Sequence, residues 1–173
     1  MIDGYPDVQE RIRVIDVPLD SVPQLEIAGV QIRAIRAPHS RYMEQDEETG
    51  ESIDRHRNVE HLEYVFTIAG QVIYHSGDAD LNDILRYESY GFGKRPISLA
   101  FVTWWSEHER LTFRQTLVRD VIRPERIILM HMAPLHPPKG HPERQQTVAR
   151  EVYLPRYPME QWTFSIKAEA TTP

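Results

Sequence analysis

Three residues of metal-ligating type each follow a strand-like run. His39 comes after VQIRAIRAP, Asp78 after QVIYHSG and His131 after ERIILM. Two neutral imidazoles and a carboxylate make a partial shell for zinc, manganese or iron. An aspartate at a strand end, behind a glycine that permits a sharp turn, is also a common placement for a metal ligand or catalytic base. Rigid sheets position side chains well where their strands end, so such ends collect functional groups. Each residue alone is more ordinarily structural or solvated, and their shared placement is what makes them a candidate set.

The elements that must position these residues begin with two hairpin patterns, LEIAGVQIRAI turning at Ala28-Gly29 and YVFTIAGQVIY turning at Ala69-Gly70. Glycine-containing turns between β-branched runs are strong hairpin signals. Between them, residues 41–58 are acidic, then basic, with almost no apolar residues, and are expected to be an exposed charged loop. LNDILRYESYGFG predicts a short helix closing near Gly91, and ISLAFVT, residues 97–103, a strand buried on both faces. Ser106 and Glu109 have capping-box spacing ahead of an apolar stripe of Leu117, Val118, Val121 and Ile122, with Pro124 shortly after. RIILM is a further buried strand. The remainder predicts a modest helix near 143–152, a last strand near 162–166 and a disordered tail over 167–173. Hairpins followed by strand, helix and strand predict an α/β layered domain with a mixed sheet.

Composition narrows the chemistry. The 173 residues suffice for one domain with a core, and 40% hydrophobic with 27% charged is ordinary for a globular chain. A net charge of −6 argues against a nucleic-acid partner, which needs clustered basic surface. The chain has no cysteine, which removes disulfides, thiolate zinc sites and cysteine nucleophiles. No run of about 18 apolar residues or signal-peptide pattern occurs, so a membrane partner is not expected and a cytoplasmic location is the default. Ser40 and Ser76 have no base and orienter at useful spacing, so no serine triad is proposed.

The ordered set APHS, SGDAD and LMHMAP, within RHRNVEHLEYVFTIAGQVIYHSGDAD and IRPERIILMHMAP, resembles the C-terminal part of a metallo-β-lactamase-superfamily hydrolase, with a lactonase-like flavour. The likeness runs from about residue 25 to 145. It implies the C-terminal half of an αββα sandwich, with residues 1–173 as a single, partial domain. It also implies His39 and His131 as ligands to two divalent metals, most naturally zinc, and Asp78 as the bridging, catalytic carboxylate. The implied reaction is hydrolysis of a small ester, lactone, amide or phosphoester by a metal-activated water. The sequence departs from the family in one respect: it contains no H-x-H at all, hence no H-x-H-x-D-H, which supplies most of the ligands. An isolated chain that is inactive or weakly metal-binding is therefore expected, completed by an N-terminal half carried elsewhere.

The alternative is a non-catalytic half-fold acting as a scaffold through self-association, since half a sandwich exposes the face meant for its missing sheet. A complete single-metal enzyme would need His39, Asp78 and His131 all within roughly 2.0–2.2 Å of one ion. Among the other histidines, His75 is expected to be packed on its strand and His56 and His61 to be exposed. His136 and His141 could be adventitious metal binders, and Trp104 and Trp105 are expected to be packing.

Overall fold

The computed structural model describes residues 16–103, 116–131, 151–153, 161 and 163. Its strands are β1 (Gln24–Ile27), β2 (Val30–Arg36), β3 (Met43–Gln45), β4 (Ser52–Asp54), β5 (Leu62–Ile68), β6 (Gln71–His75), β7 (Leu99–Thr103), β8 (Arg126–Met130) and β9 (Glu151–Tyr153). Seven of them form one mixed sheet in the order β1-β2-β5-β6-β7-β8-β9. The first four of these pair antiparallel and the last four parallel. This is the α/β mixed-sheet class that the sequence predicts.

The two hairpins turn where expected. Ala28 and Gly29 have φ of 51° and 79°, and Ala69 and Gly70 have 48° and 79°. Positive φ at both central residues is the type I′ geometry, whose twist matches that of the flanking strands. Parallel pairing of β6 with β7 requires a crossover, and α1 (Ile84–Ser89) supplies it. The Asp83 side chain caps α1 by accepting from the Arg86 amide at 3.0 Å. Gly91, at φ 71°, turns the chain out of the helix in the left-handed region. Between β7 and β8 the segment Leu117–Ile122 is helical, with the wider π-type hydrogen bonding seen where Arg123 N donates to Val118 O at 2.9 Å.

These two helical segments pack on one face of the sheet. Tyr87, Tyr90, Phe92, Leu117, Val118 and Ile122 meet Ile35, Val65, Tyr74, Ala100, Val102, Ile127 and Leu129 in one buried cluster. A carboxylate lies in this apolar layer. Glu63 is fully buried, and its two oxygens accept hydrogen bonds from the Tyr74 and Tyr87 hydroxyls. The opposite face carries a cross-strand row of Ile32, Phe66, Ile73 and Leu99, all half-buried.

Residues 41–58 contain the β3–β4 hairpin, registered from Met43 opposite Asp54 to Gln45 opposite Ser52. Most of the segment is exposed. The 97–103 run forms β7, but it is not buried on both faces: Ala100 and Val102 are buried under the helices, while Leu99 and Phe101 are half-buried on the other face. Glu151 and Val152, expected to end a helix near 143–152, belong instead to a strand, Glu151–Tyr153, with Val152 opposite Ile127 on β8. The open edge of a parallel sheet offers a run such as Glu-Val-Tyr backbone partners that a short helix end cannot match. The rest of that expected helix, the 162–166 strand, the 167–173 tail, the Ser106–Glu109 capping box, Trp104, Trp105, His136 and His141 fall wholly or almost wholly outside the described residues. Among the described residues, no helix is long and apolar enough to cross a membrane.

Candidate functional site

The three candidate ligands meet at one end of the sheet. β6 is prolonged past His75 by Ser76, whose amide donates to Phe101 O on β7 at 2.9 Å. The chain then turns at Gly77, φ 52°, and presents Asp78. The segment beyond β2 runs beside this turn. His39 and Ala79 form an antiparallel bridge, Ser40 N donates to Asp78 O at 2.7 Å, and Asp80 N donates to Pro38 O at 2.9 Å. His131 follows β8 directly, and its φ of 59° marks a sharp departure from the strand.

The two imidazoles flank the carboxylate, one on each oxygen. His131 Nδ1 lies 2.5 Å from Asp78 Oδ1, and His39 Nε2 lies 3.8 Å from Oδ2. Side-chain exposure rises across the group from 12% at His39 through 33% at Asp78 to 54% at His131, so the site opens toward solvent on the His131 side. The orientation of the His39 ring follows from its partner. Nδ1 is 2.8 Å from Ser40 O, a carbonyl can only accept, and so Nδ1 carries a proton and Nε2 is the atom turned toward Asp78. A backbone carbonyl behind a ligating histidine is the usual arrangement for fixing ring orientation in metal centres.

Two further histidines stand behind this group, where the sequence reading expects exposed side chains. His56, at the end of the 41–58 excursion, is half-buried. Its Nδ1 also donates to Ser40 O, at 2.9 Å, and its ring stands edge-on to that of His39 with centroids 4.2 Å apart. His61 is buried, donates from Nε2 to Ser76 O at 2.8 Å, and lies 5.4 Å from the His39 ring. Burial pushes the His61 imidazole below its ordinary range and keeps it neutral at pH 7. Strand alternation could have found it: His61, Glu63 and Val65 are the buried residues of every second position entering β5. His56 gives no such local signal, because its contact with His39 is made only when the excursion folds back. His75 is half-buried on its strand. Its Nδ1 accepts from Gly77 N at 3.1 Å, and burial lowers its proton affinity against the opposing pull of Asp78.

Two donors at about 2.0–2.2 Å from one tetrahedral zinc ion lie about 3.3–3.6 Å apart, so the 3.8 Å between His39 Nε2 and Asp78 Oδ2 is slightly wide for a shared zinc ion. His131 is turned onto the carboxylate itself rather than toward that point. Among the described residues, no group of three or more His, Cys, Asp or Glu is disposed to hold a metal ion. The donor types fit a divalent metal; the full coordination set is not assembled.

No protein-family model matches the sequence. No curated protein matches it either. Among solved structures, the chain is similar to a Thermotoga maritima crystal structure provisionally described as a Zn-dependent hydrolase of the metallo-beta-lactamase superfamily, at 20% identity and a TM-score of 0.44. The similarity covers 72% of this chain and 51% of the other, so the chain spans about half the length of that relative.

Proposed function

We propose that this chain carries part of a metal-dependent hydrolytic centre, with His39 and His131 as ligands and Asp78 as the carboxylate that joins them. The observation that carries this reading is the convergence of three strand ends on one carboxylate, with an imidazole at each oxygen. A bound divalent metal, most naturally zinc, would lower the proton affinity of a bound water toward about pH 7 and polarise an ester, lactone, amide or phosphoester. The chain's own residues supply the positioning. Ser40 O holds the His39 ring, the His39–Ala79 bridge fixes the spacing of the two loops, and Asp78 Oδ1 accepts a hydrogen bond from His131 Nδ1.

Three protein donors shared between two ions hold neither tightly, so the remaining donors belong to a complementing H-x-H-x-D-H segment. Elemental analysis of the purified chain should find zinc, manganese and iron well below one equivalent. Added zinc should be taken up weakly by the wild-type chain and not by Asp78→Asn. Tight, near-stoichiometric metal would overturn the incompleteness, and equal uptake by Asp78→Asn would overturn the site.

A second reading, self-association as a scaffold, is favoured by the half-buried apolar row of Ile32, Phe66, Ile73 and Leu99 on the face away from the helices. Size-exclusion chromatography with light scattering decides it. A second copy seated on this face gives a concentration-dependent dimer, and a monomer at all concentrations removes the reading.

A further inference from the structure

His61 is a buried imidazole that the proposed chemistry does not use, yet it touches both halves of the site. Its Nε2 donates to Ser76 O, the carbonyl of the peptide that enters the Gly77 turn, and Ser76 is itself fully buried. Its ring occupies the space beside Gly77: a β-carbon there would lie 2.4 Å from His61 Cε1 and 3.1 Å from Nε2. The His61 and His39 rings also meet in a T-shaped contact, with centroids 5.4 Å apart and planes at 82°. A single rigid ring thus fixes the height of the turn that delivers Asp78 and supports the side chain facing Asp78 Oδ2. Gly77 is required here by its left-handed φ and also by the proximity of this ring.

We propose that His61 is a positioning residue that sets the spacing between Asp78 and His39. The proposal rests on the reading of those two residues as the working donors, but it concerns the protein's own geometry and is testable without metal. Ring size and donor should matter separately. His61→Phe keeps a ring and loses the hydrogen bond, and His61→Gln keeps a donor able to reach Ser76 O.

The measurement is native-state hydrogen exchange at the amides of Ser40 and Asp80, whose bonds to Asp78 O and Pro38 O tie the two loops together. Thermal unfolding serves as the global control. In His61→Phe these two amides should exchange roughly 10-fold faster or more while β5 and β6 stay protected, as expected for a local opening. His61→Gln should restore most of the protection. If His61→Phe does not fold, His61→Asn, too short to reach Ser76 O, takes its place with the same expectation. Wild-type exchange in the variant, or loss of protection only together with global unfolding, overturns the proposal. A parallel zinc titration separates the two readings. Weaker uptake by the variant, by roughly the 10-fold or more that supporting hydrogen bonds carry in metal sites, supports both. No uptake by wild type removes the metal reading, while the exchange result still decides the role of His61.

Discussion

Asp78 is held by its neighbours more than by its own strand, and Gly77 shows how tightly. The turn that presents Asp78 needs a left-handed residue, and the space beside that residue is filled by the His61 ring. Gly77→Ala should therefore cost about 2–4 kcal/mol, combining backbone strain with overpacking. In a His61→Ala background the overpacking part disappears, and the same substitution should cost only about 1–2 kcal/mol of backbone strain. Urea denaturation of the four proteins in this cycle gives a coupling of about 1 kcal/mol or more if the steric reading is right. Additive effects would mean that the ring and the turn are independent. The strand ends that carry His39, Asp78 and His131 are legible in the sequence because each residue follows a run whose strand character is local. The supporting histidines were misplaced for two different reasons. His61 was masked by the charged residues before it although its alternation with Glu63 and Val65 was visible, and His56 reaches His39 only through a fold-back that no local pattern encodes.

The hairpins that bring these residues to one end of the sheet carry a small strain. Type I′ turns favour Asn-Gly or Gly-Gly, yet both turns here place alanine at the first central position, with φ of 51° at Ala28 and 48° at Ala69. An L-residue with a β-carbon in this region costs about 1–2 kcal/mol, and asparagine relieves part of that cost through local hydrogen bonding. Ala28→Asn and Ala69→Asn should each stabilise the fold by about 0.5–1 kcal/mol, read as a higher urea midpoint at unchanged slope. A loss of stability would mean that the turns are not type I′ in solution. The hairpins, α1 and RIILM are readable because glycine turns between β-branched runs, a glycine that closes a short helix and a continuous apolar run are short-range signals. The β3–β4 hairpin was not, because Met-Glu-Gln and Ser-Ile-Asp are too short and polar to show alternation. β9 was not, because its strand character comes from the β8 edge it lies against.

At the scale of the whole molecule, the order of hairpins, strand, helix and strand predicts a mixed sheet but does not show that one layer encloses a carboxylate. Glu63 joins β5 to β6 through Tyr74 and to α1 through Tyr87, so its ionisation bears on the packing of sheet against helix. Desolvation raises its pKa from 4.5 to about 7, outweighing the two tyrosine hydrogen bonds that favour the charged form. The folded chain therefore keeps a proton between pH 4.5 and 7 that the unfolded chain has lost. The Glu63 contribution is complete below pH 4.5 and is lost as pH rises to about 7, an effect of about 3 kcal/mol. His61 and His75 act in the opposite direction. Their lowered pKa values mean that the unfolded chain binds more protons near and below pH 6.5, so their contribution grows as pH rises through that range. Glu63→Gln separates the two effects, because it preserves shape and a hydrogen-bonding group for both tyrosines but has no carboxyl proton. The difference in unfolding free energy, Glu63→Gln minus wild type, should rise by about 3 kcal/mol between pH 5 and 8, with the variant the more stable protein at pH 8. Parallel pH profiles for the two proteins would show that Glu63 titrates like an exposed carboxylate and that the buried layer does not close around it.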